Sequence, residues 1–258
     1  MRQVIKALIL RLSGFRQRLK VNSVHPPRFS GAFPDRETAL ASLKGRAEKG
    51  YDDEEIADIY FTDMCRIAPW DYPVLFWLDR LKGKKLRLID AGGHLGTKYI
   101  AFGTRLDLNA INWTVYDLPG IVKAARAKQA KGELPKDIAF CDDLKQAGAC
   151  DMFLASGLLQ YLDQPLATLI GQLPEKPAHI LLNKVAMRDG PARVTLERIG
   201  PNFVPYQIRD RHAFEAEIAE TGYRIIDQWD IPGLAHRIET HPWLGASTSR
   251  GYMLERTT

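Results

Sequence analysis

The chain has 258 residues, 45% hydrophobic and 26% charged, an ordinary globular composition with length for one large domain or one domain and a small appendage. Its three cysteines, Cys65, Cys141 and Cys150, make no CxxC pair and no metal-ligand spacing, which excludes a disulfide framework or a cysteine metal site and leaves small buried thiols in a reducing compartment. Residues 1–50 carry 11 Lys and Arg against 3 Asp and Glu, a net of +8 in a chain of net +5, so the rest sums to −3 and the body lacks the spread positive charge of a nucleic-acid enzyme.

The chain opens with "MRQVIKALILRLSGFRQRLK", six basic residues and no acid. On a helix, Val4, Ile5, Leu8, Leu12, Phe15 and Leu19 share one face, flanked by Arg2, Lys6, Arg11, Arg16, Arg18 and Lys20. Arg11 interrupts the apolar run, so the segment is too short and too charged to span a membrane. It also lacks the continuous apolar region and small-residue cleavage site of a secretory signal, so the protein is expected in the cytoplasm. Two readings stand for residues 1–22: a helix lying on an anionic membrane surface, or a helix packed on the body.

Residues 23–84 read as a helical preface. An irregular lead-in precedes a short helix from about Glu37, acids at the start of "YDDEEIADIYFTDMCRI" suit a helix N-terminus, and "YPVLFWLDRL" is a further helical run after the loop "APWD".

After Lys85 short apolar runs alternate with amphipathic segments. Strands are predicted at 86–89, 113–116, 138–141, 152–155, 180–184, 224–229 and 251–255, and helices near 96–106, 119–131, 164–173 and 211–221. Continuous apolar strands between helices predict a doubly wound, mostly parallel α/β sheet over 85–258. The last two strands have no helix between them and suit an antiparallel pair. The long "RVTLERIGPNFVPYQI" predicts a hairpin or lid.

In such a sheet ligands bind at the carboxyl ends of the strands, where "LRLIDAGGHLGTKY" places a glycine loop. Counted from Gly92, the second and third glycines of a dinucleotide G-x-G-x-x-G would be His94 and Thr97, so that fingerprint fails. The acid-x-Gly-x-x-x-Gly spacing of Asp90, Gly92 and Gly96 fits. "LIDAGGHLG" resembles the first motif of class I S-adenosylmethionine-dependent methyltransferases. The resemblance implies a seven-stranded Rossmann-like sheet and S-adenosylmethionine as cofactor. It sets Asp90 facing the methionine part, with Gly92, Gly93, His94 and Gly96 passing beneath it. It assigns Asp117 and Leu118 to the ribose, and Asp142 or Asp143 to the adenine. Ser156 and Gly157 open the loop beside the reactive methyl. Asp117 alone also reads as a cap for the helix from Pro119, and Asp142 and Asp143 as a solvated turn. In order, "SGAF", "GYDDEEI", "DAGGHLG", "VYDLP", "SGLLQYL" and "VPYQI" are similar to a bacterial family of predicted methyltransferases of surface-polysaccharide and lipopolysaccharide gene clusters. That resemblance implies cofactor and fold but not the substrate; with the three strand-end acids it motivates O-methylation of a sugar or lipid-linked glycan as the leading reading, and the basic arm adds the inner face of the plasma membrane as a place for it.

A hydroxyl acceptor must lose its proton to His, Asp, Glu or water. Candidates for the acceptor side are Gln160, Tyr161, Asn183, Lys184, Glu197 and Tyr206; each has a bland alternative as a surface, lid or helix-start residue. His236 and His241 are loop histidines or a general base. His94 has three readings: packing residue, partner of the cofactor carboxylate, or base. No pair has metal-ligand spacing. Two other functions compete: a nicotinamide-dependent sugar oxidoreductase, and a non-catalytic methyltransferase-like partner in a membrane assembly. The oligomeric state is left open.

Overall fold

A computed structural model describes residues 2–21, 23, 25–43, 61–83, 85–200 and 202–257. The "GYDDEEI" stretch and the acidic start of the predicted 51–67 helix lie outside the described residues.

The predicted seven strands form the body of the sheet. β2 (Leu86–Ala91), β3 (Ile111–Tyr116), β4 (Ile138–Cys141), β5 (Met152–Ser156) and β6 (His179–Arg188) are parallel, in the order β4-β3-β2-β5-β6. β11 (Ala246–Arg256) adds antiparallel to β6, and β9 (Tyr223–Asp230) adds antiparallel to β11. Side chains alternate between the two faces, as the strand period requires. Leu88, Met152 and Leu154 meet α4 (Tyr72–Leu81), α5 (Thr97–Phe102) and α6 (Pro119–Ala130) through Leu78, Phe102 and Ile121. Ile89, Phe153 and Leu182 meet α7 (Leu166–Ile170) and α8 (Arg211–Glu220) through Leu169, Phe214 and Ile218. Each such side chain contributes about 1.5–3 kcal/mol by leaving water.

β10 (His236–Arg237) pairs antiparallel with the start of β11, and the other three strands build a wing. β7 (Arg193–Ile199) and β8 (Asn202–Asp210) form the predicted hairpin. β8 takes the place beside β6 that β5 leaves when it ends, pairing Met187 with Arg209 and Arg188 with Asp210. The irregular lead-in holds β1 (Phe29–Phe33), which pairs antiparallel with β7. Residues 23–84 therefore include a strand of the sheet as well as α2 (Arg36–Ala41), α3 (Phe61–Met64) and α4. Both α2 and α4 match the sequence expectation. α2 is capped by Asp35, whose side chain accepts from Thr38 N at 2.7 Å.

β6 carries a bulge. Leu182 faces Tyr252 and Val185 faces Arg250, so Asn183 and Lys184 together oppose Gly251. Lys184 takes up the extra residue with a left-handed φ of 59°. A Cβ on Gly251 would lie 2.0 Å from the Trp229 ring, so only glycine lets that indole lie across the strand opposite the bulge.

α1 (Arg2–Lys20) packs on the body around Gly14, its one buried residue among those described. A Cβ there would stand 2.7 Å from Trp243 and 2.9 Å from Pro242. No helix among the described residues is long and apolar enough to cross a membrane.

Candidate active site

The carboxyl ends of β2, β3 and β4 set three acids in a row along one edge of the parallel sheet. Asp90 lies in β2, Asp117 follows β3 and Asp142 follows β4. Gly92 and Gly96 have φ of 70° and 79°, which let the loop turn tightly. A Cβ on Gly93 would be 2.5 Å from the Asp90 carboxylate, so the bare backbone passes over that acid. His94 has φ 56°, a strained conformation for a side-chain-bearing residue. Its backbone N–H donates to Asp117 Oδ2 at 2.7 Å, and Leu118 N–H donates to Asp117 Oδ1 at 2.8 Å. Asp117 thus ties two loops together just ahead of α6, whose N-cap is Leu118. Asp143 turns back on its own chain, accepting from Lys145 N and Gln146 Nε2. Asp142 is exposed, leaving it as the acid of this pair that faces solvent.

Beneath the loop is a buried polar cluster that the sequence reading missed. Asp90 is buried and accepts from Trp113 Nε1 at 3.2 Å. Burial raises its pKa to about 7, against the pull of the Trp113 bond and the Lys98 charge. Lys98, in the first turn of α5, donates to both oxygens of the fully buried Asp71 at 2.8 Å. Asp71 also accepts from Ala68 N at 2.9 Å and so holds the turn that starts α4. The "APWD" loop is therefore tied to the first turn of α5 through an ion pair. An acid beside a proline-led helix start was the available signal; its partner lay 27 residues away.

The bulge in β6 turns Lys184 toward the same cluster. The Lys184 Nζ and Cε atoms lie 2.9 Å from where a Cβ on Gly157 would be, so the side chain rests on bare glycine backbone. Burial and the neighbouring Lys98 charge lower its pKa to about 8, with Asp71 and Asp90 opposing. His94 and Lys184 are the two non-glycine residues with positive φ among the described residues, and strain of this kind concentrates at functional sites.

Asn183, the other bulge residue, is committed to structure. Its Nδ2 donates to Trp70 O at 3.1 Å and Ser156 Oγ at 3.3 Å, and its Oδ1 accepts from Trp229 Nε1 at 3.1 Å. An amide so occupied clasps the preface to β5 and β9. Gln160 is buried, and its Oε1 has no hydrogen-bond partner among the described residues. Its Nε2 lies 3.6 Å from the Gly157 Cβ position, beside Lys184. Tyr161 points to the wing, where its hydroxyl donates to Glu197 Oε2 at 2.8 Å. Glu197 is buried and also accepts from the Arg28 guanidinium at 2.7 Å. Tyr206 packs edge-on against Tyr161 at 5.6 Å and Phe29 at 5.1 Å. His236 stacks on Phe29 at 4.0 Å, and burial lowers its pKa. His241 sits under α1, bonded to Thr240 Oγ1 at 2.9 Å and packed on Trp243. Burial and then the Arg18 charge lower its pKa.

No protein-family model matches the sequence. No curated protein matches it significantly. Solved structures do match. The 1,6-didemethyltoxoflavin-N1-methyltransferase of Burkholderia thailandensis, solved with 1,6-didemethyltoxoflavin and S-adenosylhomocysteine bound, superposes at a TM-score of 0.50 and 17% identity over 91% of this chain and 94% of its own. An O-methyltransferase family protein of the same organism gives 0.52 and 15% over 86% and 68%. The CcbJ methyltransferase of Streptomyces caelestis gives 0.51 and 10% over 82% and 100%. At these identities the likeness assigns the fold: a Rossmann-like methyltransferase sheet, here extended by the β1-β7-β8 wing and by α1.

Proposed function

We propose that the protein is an S-adenosylmethionine-dependent methyltransferase. The observation that carries this reading is the row of Asp90, Asp117 and Asp142 at three successive parallel strands, facing a glycine loop on a methyltransferase fold. The residues fit the cofactor. The carboxylate of Asp117 stands at the end of β3, where one carboxylate can accept from two vicinal hydroxyls. Asp90 suits an ammonium, and the bare glycines permit close approach. When bound, the cofactor supplies an electrophilic methyl group on a sulfonium with a neutral leaving group.

The acceptor we propose is a hydroxyl of a sugar or lipid-linked glycan, reached at the cytoplasmic face of a membrane. The sequence resemblance to methyltransferases of surface-polysaccharide clusters supports it. Lys184 and Gln160 stand at the acceptor side. Lys184 Nζ, with its pKa lowered to about 8, is the group that takes the hydroxyl proton. Gln160 Oε1, buried without a partner among the described residues, is the acceptor-orienting group. Positioning and water exclusion carry much of the rate for such a transfer.

Calorimetry with S-adenosylhomocysteine tests the cofactor, with a nicotinamide dinucleotide as the control. Binding tighter than about millimolar is expected for the first alone. Methyl transfer from labelled cofactor into extracted glycolipid or polysaccharide fractions tests the acceptor. Label found only in protein or nucleic acid would reject the glycan reading.

A further inference from the structure

We infer that α1 is a docking element for an anionic lipid bilayer, held so that its apolar stripe faces outward from the wing. Seven large apolar residues of α1 are each more than half exposed, among them Val4, Leu8, Leu12, Phe15 and Leu19. An apolar stripe this long on a soluble surface marks an interaction site. Gly14 is the one buried residue of the helix. At 100° of rotation per residue, Leu8, Leu12 and Leu19 lie roughly 120–160° around the helix from Gly14. Packing on the body therefore leaves the stripe clear.

The mounting is specific. Gly14 sits against Trp243 and Pro242. Arg18 Nε donates to Thr240 O at 3.3 Å, and its guanidinium lies 5.0 Å over the Trp243 ring. Between α1 and Trp243 runs a groove of about 700 Å³ lined by Lys6, Leu10, Arg11, Phe15 and Arg18, apolar within and cationic at its rim. That chemistry matches a phosphate headgroup and the first carbons of its chain.

Charge complementarity selects the partner. The helix has six Lys and Arg and no Asp or Glu, the composition of a helix that lies in the plane of an anionic surface. A second copy of this chain fits less well, because stripe-to-stripe pairing would bring two sets of cations together.

The mounting also has a consequence for the site. Thr240 Oγ1 accepts from Gly31 N at 2.8 Å, and Glu239 accepts from Phe29 N at 2.9 Å. Phe29 packs on Tyr206, and Tyr206 packs on Tyr161 after β5. The bilayer-facing helix is thus continuous with the wing beside the acceptor side. Delivery of a lipid-linked acceptor along this wing rests on the proposed methyltransferase reading; the docking itself does not.

Flotation of the full chain with vesicles tests the inference. The protein is expected to float with vesicles of about equal phosphatidylglycerol and phosphatidylcholine, to stay behind with phosphatidylcholine alone, and to be released by salt. Leu8→Glu with Leu12→Glu should abolish flotation. Lys6→Gln, Arg11→Gln and Arg16→Gln should lower partition about fivefold each. Calorimetry with S-adenosylhomocysteine on the same variants separates the two readings: unchanged affinity with lost flotation supports docking whatever the acceptor. Equal partition of wild type and variants would overturn it. So would a concentration-dependent dimer, seen by light scattering and removed by Leu8→Glu with Leu12→Glu, because the stripe would then belong to a second copy.

Discussion

The backbone N–H of His94 donates to the Asp117 carboxylate at 2.7 Å, so the loop after β2 is fastened by the acid at the end of β3. One side chain thereby shapes the glycine loop and, in the proposed function, also meets the cofactor. Two substitutions separate these duties. Asp117→Ala loses both and should weaken S-adenosylhomocysteine by about 10–100-fold, the worth of a hydrogen bond to a charged group. Asp117→Asn keeps one acceptor oxygen for a backbone N–H and should lose less. Calorimetry showing equal losses would mean that loop fastening contributes nothing.

His94 bends the loop through a conformation that glycine adopts freely. His94→Gly relieves that strain but loosens the unfolded chain, so stability should change by less than about 1 kcal/mol. Any larger change in binding or turnover then reports on the ring. Weaker S-adenosylhomocysteine binding assigns the ring to the cofactor carboxylate. Normal binding with lost methyl transfer assigns it to the acceptor. No change in either leaves packing as its role.

Asp90, with its pKa raised from 3.8 to about 7, holds its proton more tightly folded than unfolded. Its contribution to stability is therefore full below about pH 4, falls as pH rises toward 7, and stays low above. Asp90→Asn should remove this fall. Urea midpoints should drop between pH 5 and pH 8 in the wild type and much less in the variant, while the variant loses S-adenosylhomocysteine affinity. Parallel pH profiles would place the strain elsewhere.

Lys184 works in the opposite sense and in another window. Its pKa is lowered from 10.5 to about 8, so the folded state gives up its proton more readily. Stability rises as pH climbs from about 8 to about 10.5. Lys184→Met should be more stable than wild type at pH 7, where the buried ammonium faces Lys98, and the gap should close by pH 10. A gap that holds constant with pH would show that Lys184 carries no such penalty.

Much of the sheet was legible. The seven strands of the body stand where runs such as "LRLI" and "MFLA" predicted them, because a strand buried on both faces needs continuous apolar residues. The strand-end acids were legible for the same reason: each is the first charge after such a run. The β7-β8 hairpin was legible from its length and alternation. β1 was not. "FSGAF" has two glycine-or-alanine positions and no strong period, and its strand state comes from pairing with β7 about 165 residues later. The start of α5 was read correctly, but Gly103 and the turn after it end the helix earlier than predicted.

The site divides along the same line. Local sequence determined the glycine loop, the three acids and the amphipathic basic helix, because each depends on spacing within a few residues. Tertiary structure alone decided what surrounds them. Asp71 meets Lys98 only when the preface folds over α5. Lys184 reaches the buried polar cluster only because β5 and β11 hold β6 in a register that leaves one residue over. The stripe of α1 faces outward only because Gly14 fits under Trp243. Register and docking depend on partners far along the chain, and no local pattern encodes them.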